Sequence, residues 1–346
     1  MSGAATVRVA VLGYGYWGPN IVRTLQALPG VELAVCCDAS PARLRDAQLR
    51  YGVTVVANWR EVLADPAIDA VIIATPAHTH RELALAFLSH DKHVLVEKPF
   101  AANVGEAEEM YQTAERRALV LEAGHTFLYS PSVEILRQEV AAGSLGKVRT
   151  AFAVRASHGP RVRSDVDVTL DCMVHDVYIL QELLGPAVAA SANGSCVLTP
   201  GIADSAMARI TFAGGAAAFC YASWYEPVKT RRLTLVGAEA MADYDDLRED
   251  EPVRILQRGY EPIEGVDAFG NQGLRHFDRG SRIASVAWEE PLRRELQVFI
   301  DRVCGRRTEP GVAPESVLAV AGTLDAIGRS MQRGGAPERV RGGTHG

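Results

Sequence analysis

Apolar residues enter this chain as short unbroken runs. Val7 to Leu12, Val31 to Cys37, Ala70 to Ala74 and His93 to Val96 each read as a buried strand. Between them, Ile21-Val-Arg-Thr-Leu25, Ser40 to Leu49 and Thr79 to Leu88 carry apolar residues at helical spacing. Val104 to Arg117 and Leu119 to Glu122 add one more helix and strand, which completes the set by about Gly124. Short apolar strands alternating with helices predict parallel pairing through right-handed crossovers, and hence a doubly wound sheet.

After Gly124 the pattern changes. Helices are expected over Pro131 to Ala142 and Thr169 to Leu184, separated by a strand over Val148 to Ala156. Alternating segments then dominate: Ala206 to Phe212, Ala217 to Trp224, Arg232 to Val236, Met241 to Tyr244 and Val253 to Gln257. Strict alternation is the signature of half-buried strands, so a large, mostly antiparallel open sheet follows. Helical periodicity returns in Pro291 to Val303 and Ser316 to Met331. The expected fold class is α/β with two domains, residues 1–124 and 125–333, and a disordered Gly/Arg-rich tail over 334–346. A length of 346 residues fits two cores better than one.

Composition narrows the partners. The formal net charge is −6, which argues against nucleic acid or an anionic membrane held by bulk charge. The six cysteines include no CxxC pair and no zinc-type spacing, so they read as reduced thiols. No apolar run approaches the roughly 20 residues that span a bilayer, and no secretory pattern opens the chain, so the expected location is the cytoplasm.

Gly13-Tyr-Gly-Tyr-Trp-Gly18 follows a strand and opens a helix, and Asp38 stands at the end of the next strand. That context turns a weak glycine pattern into a dinucleotide fingerprint of the Rossmann type. Gly13, Gly15 and Gly18 allow the tight turn and the approach of a pyrophosphate, with Tyr16 and Trp17 in the same loop. Asp38 accepts from ribose hydroxyls and repels a 2′-phosphate, which favours NAD; Ser40 and Arg43 leave NADP open. Thr75, Pro76, His78 and His80 lie at the rim of the Ala70 to Ala74 strand, where open α/β sheets bind ligands, and are assigned to the nicotinamide side. No carboxylate or cysteine has ligand spacing to these histidines, so no metal is expected.

Glu97-Lys98-Pro99 ends an apolar strand at the same rim, where an ammonium can stabilise charge developing on a substrate oxygen. Asp171 and His175 are four residues apart in a helical segment, so both project from one face, and a carboxylate near His175 favours its imidazolium. Taken singly, each pair also reads as a surface ion pair, the Asp171–His175 pair more readily so.

Together, Gly13-x-Gly-x-x-Gly18, Glu97-Lys98-Pro99 and Asp171-x-x-x-His175-Asp176 resemble the Gfo/Idh/MocA oxidoreductases over nearly the whole chain. The resemblance implies an N-terminal NAD(P)-binding Rossmann domain, a C-terminal α/β domain and a catalytic group of Lys98, Asp171 and His175 at an interdomain cleft. Gly124-His-Thr-Phe-Leu-Tyr129, Arg163-Ser-Asp-Val-Asp167 and Trp224-Tyr-Glu-Pro-Val-Lys229 look like members acting on nucleotide sugars or N-acetylhexosamines. Leu170 and Val174 depart from that subgroup. His125, Tyr129, Arg161 and Arg163 are the further substrate-side candidates, the two arginines as diphosphate ligands or as solvated charges. Trp224 and Tyr225 are expected on the sheet face or at a subunit contact, Cys172 in packing. The implied activity is NAD-dependent hydride transfer at a secondary hydroxyl or ketone of a sugar. A cyclitol dehydrogenase, a redox-elimination enzyme such as an NAD-dependent glycosidase, and a non-catalytic NAD-dependent sensor remain the alternatives. A homodimer or homotetramer formed through the C-terminal sheet is expected.

Overall fold

The computed structural model describes residues 6–156, 163–248, 250–266 and 270–341. The chain divides into two compact units: one comprises the residues up to Tyr129 together with Glu289–Asp325, the other Ser130–Trp288 with Ala326–Val340.

In the first unit, strands β1 (Val7–Leu12), β2 (Val31–Cys37), β3 (Thr54–Val56), β4 (Ala70–Ile73), β5 (His93–Glu97) and β6 (Leu121–Gly124) form a parallel sheet in the order β3-β2-β1-β4-β5-β6. Helices α1 (Gly18–Gln26), α2 (Pro41–Tyr51), α3 (Trp59–Ala64), α4 (His80–Ser89) and α5 (Val104–Arg116) make the crossovers. Side chains alternate across each strand. Val9, Val11 and Ile72 therefore pack on one face with Ile21 and Leu25, while Val71, Ile73, Val94 and Val96 pack on the other with Phe87 and Met110. The strand order reverses between β1 and β4, which opens the crevice where such sheets take ligands.

The second unit holds α6 (Pro131–Ala141), β7 (Val148–Ala156), α7 (Val174–Leu184), β8 (Ala187–Ser195), β9 (Ser205–Phe212), β10 (Ala217–Ser223), β11 (Thr230–Gly237), β12 (Met241–Asp245), β13 (Val253–Val266) and β14 (Gln272–Ile283). After α8 (Pro291–Val303) and α9 (Pro314–Gln332) comes the short β15 (Glu338–Arg339). Among the described residues the sheet runs β14-β13-β12-β11-β7-β10-β9-β8-β15, antiparallel except for the β7–β10 pair. One face is buried and lined by small residues, Ala151, Ala153, Ala208, Ala218 and Ala222 among them, which lets the apolar helix α7 lie close on β7. The other face leaves Phe152, Phe219 and Met207 exposed, with the two phenylalanine rings stacked at 5.6 Å.

Three sequence expectations shift. The 1–124 boundary misses α8, whose Leu292, Leu296, Phe299 and Ile300 form an amphipathic stripe that completes the core beside β1 and α1. The tail expected to be disordered from 334 onward is ordered through 341: Glu338–Arg339 pairs with β8, Val340 is buried, and Glu338 binds Arg329 and Arg333. The helix expected from Thr169 opens as a wide π-turn over Thr169–Met173 before α7 begins. All six cysteines are free thiols, and among the described residues no helix is long and apolar enough to cross a membrane.

Candidate active site

The glycine loop is constrained from inside the protein at two of its three glycines. Gly13 has φ +96°, and a β-carbon there would sit 2.4 Å from the Ala74 carbonyl oxygen; one on Gly18 would sit 2.5 Å from the Gly13 oxygen. These two positions tolerate only glycine because backbone passes over them. Gly15 differs: its β-carbon would meet nothing nearer than Arg43 at 4.0 Å. The space over Gly15 is left by the protein, as a backbone approached by a pyrophosphate requires. Helix α1 starts at Gly18 with no side-chain cap and no acid in its first turn, so its N–H groups and dipole remain available to an anion.

Asp38 is held for a donor-rich neighbour. Its Oδ2 accepts the Tyr14 N–H at 2.7 Å and its Oδ1 the Ser40 N–H at 2.8 Å, while Arg43 approaches at 3.5 Å. These residues fit an NAD adenosine: two fixed N–H donors aim the carboxylate, and Tyr16 stands exposed on the loop above it in sequence. The half-buried Trp17 turns its ring toward the core.

At the β4 rim, Thr75 and Thr79 share a 2.6 Å hydroxyl bond. His78 is exposed, whereas His80 is buried with Nε2 3.0 Å from the Thr75 carbonyl and Nδ1 2.9 Å from the Pro99 carbonyl. The imidazole thus ties the segment containing Thr75 and Pro76 to the segment containing Lys98. Lys98 is half-buried after β5, and its N–H donates to Glu97 Oε2 at 3.1 Å. Burial pushes the Glu97 carboxyl up to about 7, against the pull of the Lys98 charge. His125 is buried and its pKa is driven down to about 3, so it is a neutral ring at any working pH. Tyr129 belongs to the hydrophobic core of this unit, with its hydroxyl over Gly311, where a β-carbon would come within 2.0 Å.

In the second unit, Asp167 caps the segment that leads into α7: its Oδ1 accepts the Thr169 N–H, the Thr169 hydroxyl and the Leu170 N–H. The wide turn that follows presents Asp171 to three donors. Arg163 Nη1 reaches Oδ1 at 3.1 Å, and the Trp224 indole N–H reaches Oδ2 at 3.1 Å, with the Cys172 thiol 3.7 Å away. The rest of the Arg163 fork is bidentate on Asp165. His175 Nδ1 lies 2.8 Å from the Tyr178 hydroxyl, the rings meeting edge to face. The neighbouring Asp176 is buried against Arg155 at 2.8 Å.

Of the residues expected from sequence, the first unit gathers Gly13, Gly15, Gly18, Asp38, Thr75, His80, Glu97 and Lys98 along the rim of one sheet. The second unit gathers Arg163 and Asp171 in one ion pair and holds His175 on Tyr178. Arg161 lies outside the described residues. Trp224, expected on the sheet face or at a subunit contact, is buried with its indole N–H on Asp171. Sequence reading missed Tyr178, which the i,i+3 spacing from His175 could have suggested, and Arg155, for which no local signal exists.

Two family models match, "Oxidoreductase family, NAD-binding Rossmann fold" over residues 7–125 and "GFO/IDH/MocA C-terminal domain" over residues 133–243. The chain is 27% identical over 318 residues to a UDP-N-acetylglucosamine 3-dehydrogenase of Acidithiobacillus ferrooxidans, covering 91% of this chain and 95% of that protein. It is 27% identical to a scyllo-inositol 2-dehydrogenase (NAD(+)) of Bacillus subtilis, over 73% of this chain and 78% of that one. The crystal structure of GenD2 from gentamicin A biosynthesis, in complex with NAD, superposes with a TM-score of 0.81 at 25% identity, covering 97% of this chain and 96% of that one. With both models aligned in order, and with the glycine loop and Asp38 built for a dinucleotide, the chain belongs to the Gfo/Idh/MocA family of NAD-binding oxidoreductases.

Proposed function

We propose that the protein is a dehydrogenase that acts on a secondary hydroxyl, or reduces the corresponding ketone, of a nucleotide-linked sugar. The observation that carries this reading is the anchoring of His175: the 2.8 Å contact of Nδ1 with the Tyr178 hydroxyl fixes the orientation of an imidazole suited to exchange a proton with a substrate hydroxyl. When bound, NAD supplies the hydride acceptor at its nicotinamide. Gly15, the N-terminus of α1 and Asp38 would hold it, and Thr75 and Pro76 would serve its nicotinamide side. Lys98 donates to the substrate oxygen and stabilises the charge that grows there. His175 takes the hydroxyl proton and returns it in the reverse direction. Asp171 is held by the Arg163 and Trp224 donors, and a carboxylate near His175 would favour the imidazolium formed there.

A nucleotide sugar is favoured because the relative named UDP-N-acetylglucosamine 3-dehydrogenase aligns over nearly the full length of both chains. A cyclitol is the second reading, supported by the relative named scyllo-inositol 2-dehydrogenase. NAD is preferred to NADP because Asp38 sets a negative charge where a 2′-phosphate would stand. The exposed Phe152, Phe219 and Met207 support a homodimer or homotetramer joined through the open sheet, and six free thiols suit the cytoplasm.

The test is nicotinamide absorbance with UDP-sugars, free sugars and inositols, each with NAD and NADP. Turnover of a UDP-sugar with NAD, lost by several orders of magnitude in Lys98→Met, is the expected result. Turnover confined to inositols would transfer the assignment to cyclitols, and near-normal activity in Lys98→Met would discard the role of Lys98.

A further inference from the structure

Glu97 and Glu295 are carboxyls with almost no solvent access, 8% and 2% exposed. They come from different elements, β5 and α8, onto one short stretch of chain. Glu97 is in register with Gly124, where a β-carbon would lie 3.2 Å from the Glu97 carboxyl carbon. Glu295 Oε2 accepts the hydroxyl of Thr126, two residues further on, at 2.8 Å. The second oxygen of each group, Oε1, is buried beyond hydrogen-bonding geometry to any donor of the described residues.

Among the described residues, Lys98 is the cation whose charge acts on Glu97, and no cation is paired with Glu295. Glu122 on β6 is committed to Arg302 at 2.6 Å and to the Gly311 N–H at 3.0 Å. Burial keeps Tyr111 on α5 and Tyr129 as neutral phenols, and Glu315 and Arg307 act on those phenols. His125 is a neutral ring for the same reason. The Trp17 indole N–H lies near enough to Glu97 to favour its ionised form without reaching bonding geometry. That leaves the Lys98 charge beside Glu97. Two carboxylates in one dry site with a single cation do not both ionise.

We propose that Glu97 and Glu295 hold one proton between them at neutral pH, and that Glu295 is thereby a positioning residue, keeping the Glu97 carboxylate on the Lys98 N–H and limiting the pair to one negative charge opposite the Lys98 ammonium. The direction of titration agrees: burial, then the charge of Glu97 and, less, that of Glu122, raise Glu295 well above an ordinary carboxyl against the Thr126 hydrogen bond, while burial raises Glu97. The pair titrates as a unit, so its proton belongs to neither group alone. The effect on turnover rests on the role proposed for Lys98; the shared proton does not.

The full-length protein is titrated by isotope-edited infrared spectroscopy. At about pH 8, far above the ordinary carboxyl range, the wild type shows a protonated-carboxyl stretch that is lost in Glu295→Gln and retained in Lys98→Met. In the pH profile of kcat, the limb set by the pair moves down by about one unit or more in Glu295→Gln, because Glu97 then ionises without a competing carboxylate. Glu295→Leu, which also gives up the Thr126 acceptor, lowers kcat about tenfold, and Gln recovers it. Absence of the stretch in the wild type, or a Glu295→Gln profile superimposable on it, overturns the proposal. A catalytically silent Lys98→Met with the stretch intact overturns the role of Lys98 instead.

Discussion

The indole nitrogen of Trp224 donates to Asp171 Oδ2 at 3.1 Å from the loop after β10, fifty-three residues away along the chain. Arg163 holds the other oxygen from the opposite side in sequence, so the carboxylate is fixed between a neutral donor and a charged one. Removing a hydrogen bond to a charged group costs about 1.5–3 kcal/mol. Trp224→Phe keeps the aromatic volume and loses the donor; kcat is expected to fall by about tenfold or more with the KM for NAD unchanged. Steady-state kinetics with NAD varied at saturating substrate check this, and a variant whose loss appears only in the NAD KM contradicts it.

Beneath His175 in sequence, Asp176 and Arg155 form an ion pair with neither side chain more than 8% exposed. Two Arg155 nitrogens, Nε and Nη2, converge on Asp176 Oδ1. Breaking such a pair from one side leaves a buried charge uncompensated, at about 3–5 kcal/mol. Arg155→Met is therefore expected to destabilise the protein by that amount, and Arg155→Met with Asp176→Leu to recover most of it. Urea unfolding of the two single variants and the double variant measures the coupling; additive losses would show that the pair does not hold α7.

The doubly wound sheet was legible because its strands are continuous apolar runs separated by helical periods, and Gly13, Gly18 and Asp38 mark the turns between them. Lys98 and His175 stood out as charges where an apolar strand ends and where an apolar helix runs. Contacts made across long sequence separation were not legible. Nothing near Trp224 indicates that its ring turns inward to Asp171, and Glu295 reads as an ordinary polar position in an amphipathic helix until α8 is packed against the first sheet. The i,i+4 relation of Asp171 and His175 presumes a regular helix. The wide turn at Thr169–Met173 changes the angle between them, and no local propensity encodes it, since Asp167 capping and the Arg163 bridge are what hold it open.

Burial of His125 makes stability depend on acid. Its pKa falls from the ordinary 6.5 to about 3 in the folded chain, so the unfolded chain binds the proton first as the pH is lowered. The contribution is complete above the unfolded value and is lost as pH falls through the window from 6.5 toward 3, at up to about 1.4 kcal/mol per unit. His125→Asn removes this titration. The difference in unfolding free energy between wild type and variant is expected to narrow steadily as the pH drops across that window, read from denaturant melts at a series of pH values. A constant difference would mean that the ring is protonated in the folded state.

Gly13 and Gly15 occupy the same loop two residues apart, yet they answer to different neighbours. At Gly13 the obstacle to a side chain is the protein itself, both the Ala74 carbonyl at 2.4 Å and a backbone with φ +96°. Gly13→Ala is thus expected to unfold at lower temperature even without ligand, since β1 and the β4 rim must separate to admit the methyl group. At Gly15 the nearest atom is Arg43 at 4.0 Å, which a methyl group tolerates. Gly15→Ala is expected to melt like the wild type without ligand while losing NAD affinity by about tenfold or more, because the methyl group enters the space reserved for the pyrophosphate. Thermal unfolding with and without NAD separates the two: Gly13→Ala lowers both curves, whereas Gly15→Ala leaves the ligand-free curve in place and abolishes the shift on adding NAD. Equal losses in the ligand-free proteins would mean that Gly15, too, is required by packing, and that the loop carries no space set aside for the cofactor.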